Sequence, residues 1–479
     1  MGPQEFHALL PLLILSVGSV ILLLLGAYSG LSPKVFNIIG AAVSLAAGIV
    51  SVFYHPAGVV IGGLLQMDGI GRIFVAAVSF AASVTLLLSI GYAGRRPLGS
   101  EEYPSLVLFA AFGMAFLAAS VSLLGVFIGL ESMSLALYIL LASNKSDPLS
   151  GEAGLKYLII GAISTAFFAY GLALIYVDTG TLSIAEAMKT VTVSGRVDAI
   201  GLAGWAMLIV GFGFKASLFP FHFWAPDVYE GGPAPVVAFL STGSKATVFA
   251  AFLRFATASH AGWGSLVPVL WVIAALTMGF GNIAALTQNN IKRLLAYSSI
   301  AQMGYVLLAL IAAPKTGPTA AIFYLLVYIA MDIGAFGVVA AFSGKDKDLG
   351  DIEDIKGFGF IYPFRSAALS VCLISLAGLP PTAGFIGKFG IFYAALKAGY
   401  VYLAIIGILT AIISIYYYLR VVVYLYMRKE DIPAGAKEMP AVDTASRIAL
   451  AAACGAVIIL GVAPGGILDV ITALLARSF

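Results

Sequence analysis

Long apolar runs, separated by short polar stretches, follow one another along almost the whole chain. Runs of 18 or more apolar residues are typical of membrane-spanning helices, because about 20 residues cross the hydrocarbon core of a bilayer. The pattern predicts an all-α polytopic membrane protein with about fourteen transmembrane helices. The predicted spans lie near residues 8–27, 36–54, 70–93, 104–120, 122–143, 154–178, 197–219, 234–258, 263–287, 291–313, 317–343, 364–398, 400–428 and 445–475.

Two of these spans contain prolines that interrupt a helix. The seventh is broken at Pro220 and continues as a short piece near 225–230, and the twelfth is interrupted between Gly378 and Gly384. Broken helices at corresponding positions of two halves are typical of inverted repeats, in which the unwound backbone lines a polar cavity. The alternative is that the prolines only kink two unrelated helices.

The repeat hypothesis divides the chain into four parts. Residues 1–103 form an N-terminal three-helix segment, and residues 104–258 and 259–428 each form a five-helix repeat that holds one half-channel. Residues 429–479 form a loop and a C-terminal helix.

Composition agrees with a membrane protein and limits the kind of chemistry. The chain is 61% hydrophobic and 10% charged, whereas soluble domains carry about 25% charged residues. Two cysteines and four scattered histidines give no metal-ligand or iron–sulfur spacing, so we expect no metal and no bound cofactor in this chain. Lys and Arg concentrate in alternate connections, which the positive-inside rule assigns to the cytoplasm. Both termini are then expected on the non-cytoplasmic side.

The ionisable residues Glu131, Lys215, Lys245 and Lys388 lie inside these apolar spans. A charged side chain at the centre of a bilayer costs on the order of 3 kcal/mol, so such residues are rare and usually functional. A row of buried titratable groups is what a proton path through a membrane needs. The row therefore indicates proton transfer.

The position of each group suggests its part in such a path. A lone carboxylate would protonate in the membrane, so we expect Glu131 to pair with Lys215 beside the first break and to change its proton affinity by moving. Lys388 lies about two turns, roughly 12 Å, past the double proline and is predicted to be the terminal exchange site. Static ion pairs and snorkelling to the interface are the alternatives. Lys245 is predicted to be a relay, surrounded by the hydroxyls of Ser241, Thr242, Ser244 and Thr247.

Four further residues are weaker candidates. Asp332 is a second intramembrane acid that either pairs with a lysine of the second half or caps a local distortion. His222 and Asp227 follow Pro220 on unwound backbone, where a structural role is the favoured interpretation. Lys292 lies close to the position that corresponds to Glu131 in the second repeat. Arg254 lies towards a helix end and is expected to face the interface or a partner.

Three long motifs carry a family resemblance. The first runs from Lys215 to Lys245 and includes Trp224-Ala-Pro-Asp-Val-Tyr-Glu-Gly231. The others are Asn289-Asn-Ile-Lys-Arg-Leu-Leu-Ala-Tyr-Ser-Ser-Ile-Ala-Gln-Met-Gly304 and Leu376-Ala-Gly-Leu-Pro-Pro-Thr-Ala-Gly-Phe-Ile-Gly-Lys-Phe389. Together they resemble the antiporter-like membrane subunits of respiratory complex I, and within that family the subunit N branch, whose mitochondrial counterpart is NADH dehydrogenase subunit 2.

The resemblance implies a fold and a function. It implies fourteen helices, two inverted five-helix repeats with broken helices seven and twelve, and proton translocation, with Glu131 as the essential glutamate and Lys215, Lys245 and Lys388 as the channel lysines. It also implies that NADH, FMN, iron–sulfur clusters and quinone are bound by partner subunits of a proton-translocating NADH–quinone oxidoreductase. The expected partners are other membrane subunits of complex I, including sister antiporter-like subunits, in the inner (plasma) membrane of a bacterium.

Other functions remain open from the sequence alone. An Mrp-type Na⁺/H⁺ antiporter subunit shares the lysine row, although the run after Trp224 disfavours it. A passive assembly scaffold with inert ion pairs and a redox subunit are the remaining alternatives. No nucleic-acid partner is expected.

Overall fold

The computed structural model describes residues 2–53, 59–98, 102–193, 199–312, 316–344, 348–427 and 441–476. Nearly all of these residues are helical. A two-residue antiparallel pair, β1 (Val60–Ile61) and β2 (Leu65–Gln66), is the small sheet within the described ranges. The helices are α1 (Pro3–Tyr28), α2 (Pro33–Phe53), α3 (Gly69–Ala93), α4 (Glu102–Ala119), α5 (Leu123–Leu141), α6 (Pro148–Thr179), α7 (Ile184–Val193), α8 (Ala199–Lys215), α9 (Ala225–Gly231), α10 (Ala234–Phe239), α11 (Lys245–Ala258), α12 (His260–Leu286), α13 (Ile291–Ile311), α14 (Gly317–Phe342), α15 (Phe358–Ile361), α16 (Pro363–Ala377), α17 (Ala383–Lys397), α18 (Val401–Leu425), α19 (Thr444–Val462) and α20 (Gly465–Ala476).

The predicted number of spans is confirmed. Twelve helices of the described chain are long and apolar enough to cross a membrane. In this count α10, the π-helical turn at Leu240–Ser244 and α11 form one continuous span. The two broken helices, α8 with α9 and α16 with α17, add two more, which gives fourteen. The last predicted span differs, because Pro464 separates α19 from α20. The amphipathic helix α7 and the β1–β2 pair were not predicted.

Polar side chains cap the first turns of several helices at one end of the bundle. Asp147 accepts a hydrogen bond from the backbone at the start of α6, Asn290 does so for α13, and Asp443 does so for α19. Such caps satisfy amide groups that the first helical turn leaves unpaired. Ion pairs of Arg96 with Asp147 and of Lys292 with Asp348 then join four connections at this end, which we call the ionic face.

The intervening connections meet at the opposite end. Backbone bridges join Leu65 to Ser120 and Ser122 to Ser183, which brings together the connections after α2, α4 and α6. We call this end the hairpin face. Connections therefore alternate between the two ends, as fourteen successive crossings require. The predicted cytoplasmic connection 344–363 lies at the ionic face, while most of connection 429–444 lies outside the described residues.

Burial divides the helices into an inner and an outer group. In the most apolar window of Ala234–Ala258 every residue is buried inside the chain, and in α13 and α14 the buried share is 94%. In α6 it is 28% and in α1 it is 39%. The nearly fully buried helices α10–α11, α13 and α14 therefore form the core. The outer helices α1 and α6 are apolar but exposed on one side, which is the side that faces lipid or a partner.

The close approach of α4 and α5 gives a test of the packing. A methyl group added at Gly113 on α4 would lie 2.3 Å from the backbone nitrogen of Met133 on α5, and backbone cannot move aside cheaply. We expect Gly113→Ala to destabilise the protein by about 1–3 kcal/mol, the usual cost of overpacking. The measurement is the amount of chain in the membrane and its unfolding temperature in detergent. Gly264→Ala is the matched control, since nothing lies within 4 Å of its added methyl group. Equal behaviour of both variants would contradict this packing.

Candidate functional site: a row of buried lysines

The first break places Lys215 at the carboxyl end of α8. The chain then turns through Ser217, which has a φ of 56°, before Pro220. The carbonyl of Phe214, next to the break, accepts hydrogen bonds from the Ser217 amide and from the Trp224 ring N–H, both at 3.0 Å, so it is satisfied inside the membrane. The sequence prediction of a broken seventh helix is therefore confirmed, with Lys215 as its last regular residue.

The Lys215 ammonium is held by a hydroxyl and by aromatic rings. Its Nζ donates to Ser134 Oγ on α5 at 2.5 Å. The ring centroids of Tyr138, Tyr157 and Phe214 lie 5.7, 5.6 and 5.5 Å from Nζ. Such faces attract a cation when water is excluded, and the lysine is 3% exposed.

Glu131 does not form the direct ion pair with Lys215 that the sequence suggested. Its carboxylate accepts a hydrogen bond from Thr165 Oγ1 on α6 at 2.6 Å, and within the described ranges no salt bridge joins it to Lys215. Ser134, which binds the lysine, lies one helical turn after Glu131 on α5. The difference arises because Glu131 lies on the outer, half-buried side of α5.

Lys245 is fully buried at the start of α11, directly after the π-helical turn. Its Nζ donates to Ser299 Oγ on α13 at 2.6 Å and lies 5.2 Å from the ring centroid of Tyr229. The hydroxyls that the sequence placed around Lys245 do not contact the amine. Thr242, Ser244 and Thr247 donate instead to carbonyls of their own helix, and Ser241 donates to Asp332.

Asp332 belongs to the Lys245 cluster and not to a lysine of the second half. Tyr328 shares a hydrogen bond of 2.7 Å with Ser299 and donates to Asp332 at 3.2 Å, and Ser241 also donates to this carboxylate. The chain Lys245–Ser299–Tyr328–Asp332 therefore runs from α11 through α13 to α14. Ser299 and Tyr328 were missed by sequence reasoning, although Ser299 lies within one of the quoted motifs.

Lys388 points back to the second break. Gly378, with a φ of 81°, ends α16, and the lysine side chain packs against it. Its Nζ donates to the carbonyls of Leu376 at 2.7 Å and Ala377 at 3.3 Å, and lies 5.2 Å from the ring centroid of Tyr305. The carboxyl end of a helix is its negative end, which favours a cation. At 4% exposure Lys388 does not snorkel to the interface.

Three weaker candidates lie outside the row: His222, Asp227 and, described below, Lys292. His222 packs between the rings of Phe219 and Phe280. Asp227 forms ion pairs of 2.8 Å with Lys156 and Arg293. These contacts agree with the structural role that the sequence favoured for His222 and Asp227.

Two cations are bound at opposite ends of the bundle. Lys292 donates to Asp348 at 2.8 Å and to the carbonyl of Gly232 at 2.7 Å, so it belongs to the ionic face. Arg254 was expected to face the interface or a partner, and this expectation is wrong. It is 7% exposed and forms a two-contact ion pair with Asp68 at 2.9 and 3.0 Å near the hairpin face. Among the residues that the structure describes, no group of three or more His, Cys, Asp or Glu is placed to hold a metal ion.

Comparison with known proteins decides the family. The family profile described as "NADH:quinone oxidoreductase/Mrp antiporter, TM" matches residues 120–414. NADH-quinone oxidoreductase subunit N of Geotalea uraniireducens is 45% identical over 475 residues, which cover 99% of this chain and 100% of the relative. This chain belongs to the subunit N family. Subunit N of Geobacter metallireducens is also 45% identical, over 476 residues that cover 99% of this chain and 100% of that relative.

Solved structures agree with the fold of a complex I membrane subunit. A chain of respiratory complex I from Thermus thermophilus with bound aureothin is 36% identical, with a TM-score of 0.80, over 96% of this chain and 98% of that one. A chain of the Mrp complex from Dietzia has a TM-score of 0.85 at 20% identity, over 98% of this chain and 97% of that one, which shows a shared fold alone. The antiporter-like subunit fold predicted from the sequence is thereby confirmed.

Proposed function

We propose that this subunit N translocates protons in a NADH–quinone oxidoreductase along Glu131, Lys215, Lys245 and Lys388. The observation that carries the proposal is the placement of the three lysines. Each is at most 4% exposed, and each amine is held by a hydroxyl or carbonyl at a helix break or beside a π-helical turn. Groups of this kind can give up a proton without moving far. Asp332 joins the path as the carboxylate partner of Lys245.

Electrostatic coupling supplies the driving step. A change at Glu131 alters the field at Lys215 across one turn of α5, because water does not screen charges inside the bundle. Moving a charge across 100 mV costs about 2.3 kcal/mol. A change of two units in the pKa of Lys215 would correspond to about 2.7 kcal/mol, which is enough to move one proton against 100 mV. Quinone chemistry elsewhere in the complex would start the sequence, and protons would pass by Lys245 towards Lys388.

The exposed residues on the outer face of α5 indicate that a partner subunit covers this face. Glu131 lies in line with Leu135 and Ile139, which are 54% and 56% exposed. A partly buried carboxylate on a lipid-facing surface is costly. We infer that another membrane subunit of complex I covers this face, with NADH, FMN, iron–sulfur clusters and quinone bound in partner chains and no redox centre in this one. The assembly belongs in the bacterial inner membrane, with the ionic face towards the cytoplasm and both termini on the other side.

Lys215→Ala tests the proposal. We expect the assembled complex to keep its subunits and lose the share of proton pumping that passes through this chain, because alanine cannot hold a proton. The measurement is the proton gradient formed per NADH oxidised in proteoliposomes, with assembly checked by native electrophoresis. Lys34→Ala, at an exposed lysine near the start of α2, is the matched control. Unchanged pumping by the fully assembled Lys215→Ala complex would leave the chain as a passive scaffold.

A second candidate function is supported by the shared fold with the Mrp complex and by the family profile, which also covers Mrp antiporters. An Mrp-type subunit would exchange Na⁺ for H⁺. Proton translocation that needs Na⁺ in the same proteoliposomes would favour this function, and equal pumping in Na⁺-free buffer excludes it.

A further inference from the structure

Gln302 occupies the space between the Lys245 cluster and Lys388. It lies on α13, is fully buried, and is one turn from Ser299. Its amide nitrogen donates to Tyr418 OH at 3.0 Å and to the carbonyl of Leu376 at 3.1 Å. Its amide oxygen accepts a hydrogen bond from the Tyr324 hydroxyl. The side chain therefore uses both its donors and its acceptor.

The Leu376 carbonyl fixes the orientation of this amide. A carbonyl can only accept, so the nitrogen and not the oxygen of Gln302 must face it. Lys388 donates to the same carbonyl at 2.7 Å. If the amide turned over, its oxygen would face a carbonyl oxygen without a shared proton, which is unfavourable. Gln302 is therefore held in one orientation by the acceptor that it shares with Lys388.

Hydroxyl groups lie on both sides of the amide. Tyr418 shares a hydrogen bond of 2.6 Å with Ser298, the residue next to Ser299. Tyr324 lies on the other side. A hydroxyl can accept one proton and release another, whereas a carboxamide is neither an acid nor a base near neutral pH. A proton that moves from Tyr418 to Tyr324 cannot pass through Gln302 in this way.

We propose that Gln302 is a positioning residue that blocks direct proton transfer between the Lys245–Asp332 cluster and Lys388. A pump needs such a barrier, because a continuous line of titratable groups would let protons return down the gradient. Protons cross only when the carbonyl end of α16 moves and releases the amide. The inference rests on the proposed proton path but assigns a role to a residue that carries no charge.

A pair of variants with nearly the shape of glutamine tests the barrier. Gln302→Glu places a titratable group between Tyr418 and Tyr324, where it can take a proton from one hydroxyl and give one to the other. Gln302→Met keeps the length of the side chain and cannot carry a proton. We expect the protons retained per NADH oxidised to fall at least about twofold in Gln302→Glu and to stay higher in Gln302→Met, because a positioned acid–base group speeds proton transfer by about 10²-fold or more.

The opposite order would overturn the proposal. If Gln302 only stabilised the fold, the methionine, which loses every hydrogen bond, would be the more damaging change, and glutamate would be tolerated. Gln288→Glu makes the same chemical change at a half-buried position at the end of α12 and is the matched control. The Lys215→Ala result separates the two proposals: if that variant stops pumping while Gln302→Glu stays fully coupled, the proton path stands and the barrier does not.

Discussion

Lys245→Met is expected to slow proton transfer through this chain by about 10²-fold or more, the usual contribution of a positioned proton-transfer group. Methionine fills nearly the same space but cannot bind a proton. The bond to Ser299 is lost, and the buried Asp332 keeps no cation nearby. The measurement is the initial rate of proton gradient formation in proteoliposomes, normalised to NADH oxidation.

A double-mutant cycle tests whether Lys245 and Asp332 act together. Since Ser299 and Tyr328 link them, we expect Asp332→Asn to add little to Lys245→Met, as residues of one network are not additive. Lys397→Met, at an exposed lysine at the end of α17, is the control. Additive losses would mean that Asp332 acts independently of Lys245.

Asp348→Ala is expected to destabilise the protein by about 3–5 kcal/mol, because it removes the counter-charge of the buried Lys292 ammonium, whereas Arg96 keeps Asp147. Asp348 forms ion pairs with Lys292 at 2.8 Å and Arg96 at 3.6 Å, and both cations are almost fully buried at the ionic face. Tyr92 also donates to this carboxylate at 2.7 Å. The measurement is the unfolding temperature in detergent. Asp351→Ala, at an exposed carboxylate three residues away, is the control and should unfold like the wild type.

The pH dependence of this effect follows from the pKa of Asp348. Burial raises that pKa, but the charges of Lys292 and Arg96 and the Tyr92 hydrogen bond outweigh burial and hold the pKa below its ordinary value. A depressed pKa stabilises the fold above the unfolded value, about 3.9, and the contribution is lost as the pH falls through the folded value. The difference in unfolding temperature between wild type and Asp348→Ala should therefore stay constant from about pH 8 to about pH 5. A difference that vanished at pH 6 would contradict the ion-pair arrangement.

The elements themselves could be predicted from the sequence because the bilayer restricts the choice. Apolar length predicted the fourteen crossings, and Pro220 and Pro380 predicted both broken helices. The repeat boundaries at 104–258 and 259–428 remain predictions. The small elements α7 and β1–β2 carry no apolar run long enough to cross a membrane, so the same reasoning did not find them.

The partners of each charge were harder to predict. The amine of Lys245 binds Ser299, which is 54 residues away, and hydroxyls next to it in sequence bond their own helix instead. A serine or threonine on a helix can reach the carbonyl one turn back at little cost. Neighbourhood in sequence is therefore a poor guide to what surrounds a buried lysine.

The sequence by itself determined that charged side chains are buried in a bundle of membrane helices. The reason is that unpaired backbone groups and charged side chains are both costly in contact with lipid. Only the tertiary structure decided which groups meet. Glu131 binds Thr165 and Lys215 binds Ser134, Asp332 is linked to Lys245 through Tyr328 and Ser299, and Lys388 shares a carbonyl with Gln302. These contacts join helices that are far apart in the chain, and their geometry depends on how whole helices pack, which no local pattern encodes.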